Sequence, residues 1–99
     1  MNIQQEEHNN RGRFFLNENG EDLAEMIYSR ASDEVIIIEH TEVDPSLKGQ
    51  GVANLLLDRL VEWVRQNHLR ILPLCPFAKV VMERKKDQYA DVLAMHGHA

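Results

Sequence analysis

Lys48-Gly49-Gln50-Gly51-Val52-Ala53 sets two glycines one residue apart at the start of an amphipathic segment. Glycine lets the backbone turn tightly and approach a ligand closely. The first amides of the following helix have no intrahelical acceptor, and the helix dipole favours negative charge beside them. The chemistry offered is capture of an anion, most simply a phosphate or pyrophosphate. A glycine pair can also form a plain strand-to-helix turn. Of the phosphate loops, the nucleoside-triphosphate type needs G-x-x-x-x-G-K-[ST], which is absent. The dinucleotide type needs G-x-G-x-x-G. Asn54 stands where its third glycine belongs, and no acid lies about twenty residues further on. A third possibility is coenzyme A, whose pyrophosphate would sit on the same loop.

Two other residues could do chemistry. Cys75 precedes Pro76, and proline suits the first position of a helix. Cys75 is then the N-cap, where the helix terminus favours a thiolate. The other reading of Cys75 is a small buried hydrophobe, because free cysteine is among the most buried residues. His40 lies near the end of an apolar strand. It is a candidate general base, since an ordinary imidazole titrates near neutrality, or a strand-end histidine bonded to backbone. Strand alternation puts Glu39 and His40 on opposite faces.

The elements that position these residues follow from periodicity and turn signals. Residues 13–17 and 22–29 read as strands joined by Asn19-Gly20, a pair that tolerates positive φ. Ala31-Ser32-Asp33 marks a second turn. Residues 34–43 hold the β-branched run Val35-Ile36-Ile37-Ile38, typical of a strand buried on both faces. This half should be an antiparallel meander. From Gly51 to about Asn67 the pattern is helical, with Val52, Leu56, Leu60 and Val64 on one side. Asn67 can end that helix in a left-handed conformation. Residues 70–74 read as a strand, giving a crossover and a parallel pair. Pro76 opens another helix to about Lys86. Trp63 and Met82 read as core. The run Glu83-Arg84-Lys85-Lys86-Asp87 reads as a solvated helix end, and the chain beyond Asp91 as frayed. His96 and His98 read as part of a plain disordered end.

The chain has 99 residues, 43% of them hydrophobic, which suits one domain. We expect that domain over residues 1–95, with 96–99 as a disordered tail. A net charge of −5 disfavours general nucleic-acid binding and fits a basic or amine-bearing substrate. One cysteine cannot form an internal disulfide. No apolar run approaches the roughly 18–20 residues of a membrane span. The polar, acidic start is unlike a signal peptide. The expectation is a cytoplasmic protein.

The segment Val43 to Ala53 resembles the acetyl-CoA loop of the GNAT N-acetyltransferase superfamily, whose pattern is Gln/Arg, two residues, Gly, one residue, Gly/Ala. Lys48, Gly51 and Ala53 match it, with lysine keeping the charge of arginine but not its fork. Glu39-His40-Thr41-Glu42-Val43 before the loop and Ile71-Leu72-Pro73-Leu74-Cys75-Pro76-Phe77 after it extend the resemblance to small one-domain GNAT-like proteins of the YjdJ type, over residues 8–93. The resemblance implies a minimal GNAT-like α/β (α+β) acyltransferase fold. It implies acetyl-CoA, or coenzyme A, as co-substrate on Val43, Lys48, Gly49, Gln50, Gly51, Val52, Ala53 and Asn54. By that analogy the strands before the loop and before Cys75 splay around the pantetheine arm, with Cys75 near the thioester. Pro73, lacking a donor, suits interrupted pairing.

The implied activity is acetyl transfer to an amine. Either a base takes the amine's proton during direct attack, or Cys75 carries the acetyl group. Glu39 and Glu42 join His40 as candidate bases, because many GNAT enzymes place a glutamate on this strand. Tyr89 is a candidate proton donor to the departing thiolate, or a packing residue. Typical members are about half as long again and wall the acceptor site with extra elements. An open groove for a protein or peptide acceptor, completion by a second subunit, or a CoA-binding module without catalysis would each fit the short chain. Monomer and homodimer both remain open.

Overall fold

A computed structural model describes residues 1–94. His96 and His98, and the expected tail, lie outside the described residues. Five strands form one sheet in chain order: β1 (Ile3–His8), β2 (Arg11–Glu18), β3 (Glu21–Arg30), β4 (Val35–Val43) and β5 (Arg70–Pro73). The first four pair antiparallel, and β5 lies parallel to β4. Helix α1 (Val52–Gln66) makes the crossover between β4 and β5, and α2 (Pro76–Arg84) and α3 (Lys86–Tyr89) follow β5. The expected meander and parallel pair are both present.

The strand β1 was not expected, because its residues are almost all polar and exposed. It is an edge strand whose inward positions are taken by Ile3, Gln5 and Glu7. The Gln5 amide donates to the Tyr28 hydroxyl at 2.9 Å, and that hydroxyl donates to Glu7 at 2.8 Å. Glu7 also pairs with Arg30 at 2.9 Å. The hairpin signal is Asn9-Asn10, both at positive φ (52° and 65°), as a two-residue turn requires. Asn19-Gly20 turns the next hairpin in the same way, at 55° and 82°.

The inward sides of β3 and β4 meet α1. Met26, Tyr28, Ile36, Ile38, Leu56 and Leu60 are buried to about one per cent or less. Trp63 packs against that core, its ring centroid 5.2 Å from Tyr28 and 5.7 Å from Phe14. Ala78 and Met82 bring α2 into the same cluster. Helix α1 ends at Asn67, but Asn67 is not left-handed (φ −106°); His68 is, at 58°. The Asn67 side chain instead donates to the Trp63 carbonyl at 2.8 Å, so the reversal falls one residue later.

Frayed structure beyond Asp91 is not what is seen through Ala94. Val92 is buried, Leu93 bridges Ile71 in parallel, and the Ala94 amide donates to the Ile71 carbonyl at 2.8 Å. Arg65 of α1 holds Asp91 with two hydrogen bonds, at 2.9 and 3.2 Å. These contacts are long-range and leave no local sequence signal.

Gly12 on β2 faces the Tyr28 ring. A Cβ there would lie 2.5 Å from the Tyr28 hydroxyl oxygen and 2.8 Å from the Glu6 carbonyl oxygen. Gly12→Ala should therefore destabilise the fold by about 1–3 kcal/mol, the usual cost of overpacking. Thermal denaturation of the variant against the native chain measures it.

Candidate functional site

Asp44 ends β4, and its carboxylate accepts the Ser46 amide at 3.0 Å. That bond holds the Asp44 carboxyl below its ordinary range. A single 3-10 turn, Pro45–Leu47, leads into the glycine loop. Gly49 and Gly51 both lie at positive φ, 79° and 71°, and a Cβ on either would meet nothing within 4 Å. The backbone angle, not crowding, demands glycine, and the loop's outer side stays open to a ligand.

Gly51 is the N-cap of α1, and no side chain caps the helix. The amides of Val52, Ala53 and Asn54 are the first-turn donors that a helix leaves without internal acceptors. Val52 buries its side chain in the core, so only its amide is offered. Lys48, Gln50 and Asn54 are exposed around the loop, and Val43 is half-buried at the end of β4. Asn54 also lines a groove of about 610 Å³ with Phe77, Val80 and Arg84 from α2 and Lys85 just after it. The basic end of α2, read from sequence as a solvated surface, thus shares a groove with the first turn of α1.

Beside the loop the sheet opens. The parallel ladder ends at Ile38–Pro73. The Ile38 carbonyl there accepts the amides of Leu74 and Cys75, at 3.0 and 2.9 Å. Strand β4 continues to Val43 in register with β3, while the other chain turns into α2 at Pro76. Cys75 is the N-cap of α2, as its place before Pro76 suggested, and is 2% exposed.

Alternation does not hold at Glu39 and His40. The β3–β4 register passes from Tyr28–Ile38 to Ile27–His40, so Glu39 is an inserted bulge residue. The insertion turns Glu39 and His40 to the same side, away from the helices. There Glu39 accepts from Ser29 at 2.6 Å and pairs with Arg11 at 3.3 Å. His40 Nε2 lies 3.7 Å from a Glu42 carboxylate oxygen, both exposed. Glu42 also borders an acidic groove of about 330 Å³ with Asp22, Glu25 and Asp44.

The residue turned inward is Thr41, whose Oγ1 lies 3.1 Å from the Cys75 sulfur. The structure thus brings Cys75 together with Thr41, and His40 together with Glu42. Sequence reading missed Thr41 because a one-residue bulge reverses the faces of every residue after it. Tyr89 is 3% exposed and packed in the core, and burial raises its hydroxyl above the ordinary tyrosine range.

An antiparallel meander, a glycine-turned crossover helix and a parallel strand that parts from its neighbour define the GNAT acyltransferase fold. A profile of the GCN5-related N-acetyl-transferase family matches residues 13–92, and the chain belongs to that family. Protein NATD1 of Bos taurus is 31% identical, over 88% of this chain and 80% of its own length. The solution structure of a GCN5-like protein from Staphylococcus aureus is 37% identical, with a TM-score of 0.71, covering 98% of this chain and 93% of that one. The ribosomal-protein-S18-alanine N-acetyltransferase of Escherichia coli shares the fold at 19% identity and a TM-score of 0.64. There the match covers 81% of this chain but 54% of the larger enzyme.

Proposed function

We propose that this chain binds acetyl-CoA and transfers its acetyl group to an amine. The observation that carries the reading is the uncapped, glycine-turned N-terminus of α1 beside the opening between β4 and β5, with Cys75 at the head of that opening. The loop fits a pyrophosphate: it offers first-turn amides, an open approach at Gly49 and Gly51, and the exposed Lys48. Asn54 adds a side-chain donor. The groove between α1 and α2, apolar at Phe77 and Val80 and cationic at Arg84 and Lys85, suits the nucleotide end of the same molecule. A fold relative from Elizabethkingia anophelis, 12% identical, was solved with acetyl-CoA bound. The opening between the strands suits the pantetheine arm.

The transfer has two available routes. In direct attack the amine nitrogen bonds to the thioester carbonyl carbon, the carbon–sulfur bond breaks, and the amine's proton leaves with a base. His40 and Glu42 are the exposed bases on the helix-free side of β4. Glu39 is the weaker candidate, since Ser29 and Arg11 occupy its carboxylate. In the second route Cys75 takes the acetyl group first and the amine then removes it. The carboxylates of Glu42 and Asp44, which pair with no arginine among the described residues, suit a cationic acceptor such as a lysine-bearing peptide. We place the protein in the cytoplasm; among the described residues no helix is long and apolar enough to cross a membrane.

Incubation with labelled acetyl-CoA, followed by peptide mass spectrometry, tests the routes. An acetyl adduct on Cys75 that is lost in Cys75→Ala supports the carrier route. Turnover without an adduct supports direct attack, and affinity for both CoA and acetyl-CoA without turnover supports a binding module. No binding at millimolar acetyl-CoA would sink the whole reading.

Gly51→Val tests the loop itself. The left-handed angle costs a branched residue about 1–2 kcal/mol, which a folded domain survives. Titration calorimetry should show affinity for CoA falling about tenfold or more while circular dichroism stays native. Unchanged affinity would remove the loop from the site.

A further inference from the structure

Resting on the proposed carrier role of Cys75, we infer that Thr41 is the positioning residue for the Cys75 thiol. Three observations converge on it. First, the bulge at Glu39 decides which side chain meets the cysteine. An uninterrupted strand would continue its inward series from Ile36 and Ile38 to His40 and Glu42. The insertion replaces those two with Thr41 and Val43, in register with the inward Met26 and Ala24 of β3. Second, Thr41 is the one hydroxyl in an inward series otherwise made of Ile36, Ile38 and Val43. Its Oγ1 lies 3.1 Å from the Cys75 sulfur. Valine has the same shape, so the hydroxyl adds this contact and little to packing. Third, the sulfur is not engaged in capping. Cys75 makes no side-chain bond to the start of α2, and its position is fixed by its own amide on the Ile38 carbonyl at 2.9 Å.

A threonine hydroxyl can accept the S–H hydrogen or donate to the sulfur anion. Either bond holds the sulfur in one direction. In the transfer step the sulfur bonds to the acetyl carbonyl carbon, and the bond from that carbon to the coenzyme's sulfur breaks. The proton lost by Cys75 ends on the coenzyme's sulfur, so thiol and thioester are exchanged without net change. Thr41 neither accepts the acetyl group nor takes that proton away. It donates to the sulfur while it carries charge.

Cys75 is the sole cysteine of the chain, so its alkylation by iodoacetamide can be followed by intact mass without a coenzyme. We expect Thr41→Val to slow alkylation at neutral pH about tenfold and to move the pH–rate profile upward. Thr41→Ser should restore both. Native circular dichroism and unchanged CoA affinity should accompany each variant. A rate or profile in Thr41→Val equal to the native one, faster alkylation, or failure of Thr41→Ser to restore it overturns the assignment. If Thr41→Val does not fold, Thr41→Ala takes its place against Thr41→Ser. Loss of CoA affinity in the native chain would sink the acetyl-CoA reading alone, because the alkylation comparison needs no coenzyme.

Discussion

The parallel ladder between β4 and β5 ends where the Ile38 carbonyl accepts two successive amides, those of Leu74 and Cys75. Its bond from Leu74 continues the series in which Arg70 donates to Glu34, and its second bond, from Cys75, is the departure. From that point one chain runs on with β3 and the other becomes a helix. The consequences are all local and all mechanical. Cys75 is anchored by its backbone where the strands part, α2 begins one residue later, and the edge of β4 beyond Ile38 is no longer covered by β5. The glycine loop lies at the far end of the same stretch of β4. The glycine loop and the cysteine are therefore two ends of one opening.

Much of this was legible because it depends on neighbouring residues. Gly49 and Gly51 announce positive φ, and Pro76 announces a first helical turn with Cys75 before it. The period of Val52, Leu56, Leu60 and Val64 announces the face that α1 buries. What was not legible depends on partners distant in sequence. The strand β1 carries almost no apolar signal; it is held by backbone pairing with β2 and by Gln5 and Glu7 at the Tyr28 hydroxyl. The tie from Arg65 to Asp91, and the seat of Val92 to Ala94 beside β5, join segments that only the finished fold brings together. The bulge at Glu39 is subtler. The residue types around it are ordinary strand formers, so the pattern gives no warning that inside and outside exchange there. Its effect falls on the site more than on the fold, because it decides between His40 and Thr41 beside the cysteine.

Charge is distributed unevenly about this frame. Arg13 satisfies Glu6, Asp22 and Glu25 while its guanidinium covers the Phe15 ring at 3.9 Å, so one cation serves three carboxylates and a ring. Arg30 and Glu7 neutralise one another. The acids near the end of β4, Glu42 and Asp44, have no such arginine partner among the ion pairs of the described residues. Arg84 and Lys85, by contrast, stand together beside the α1–α2 groove. An acidic groove thus borders the chain just before the glycine loop and a cationic groove the chain just after it, so the potential changes sign across the loop.

Sheet order follows chain order, so β2, β3 and β4 each pair with the strand synthesised just before them. The pair that bounds the opening is different: β5 can meet β4 only after all of α1 has been made. A ribosome delivering this chain completes the four-stranded meander while one wall of the opening does not yet exist. A ligand seated between β4 and β5 consequently has no site on the nascent meander. It binds, and by mass action stabilises, only molecules in which the crossover has closed.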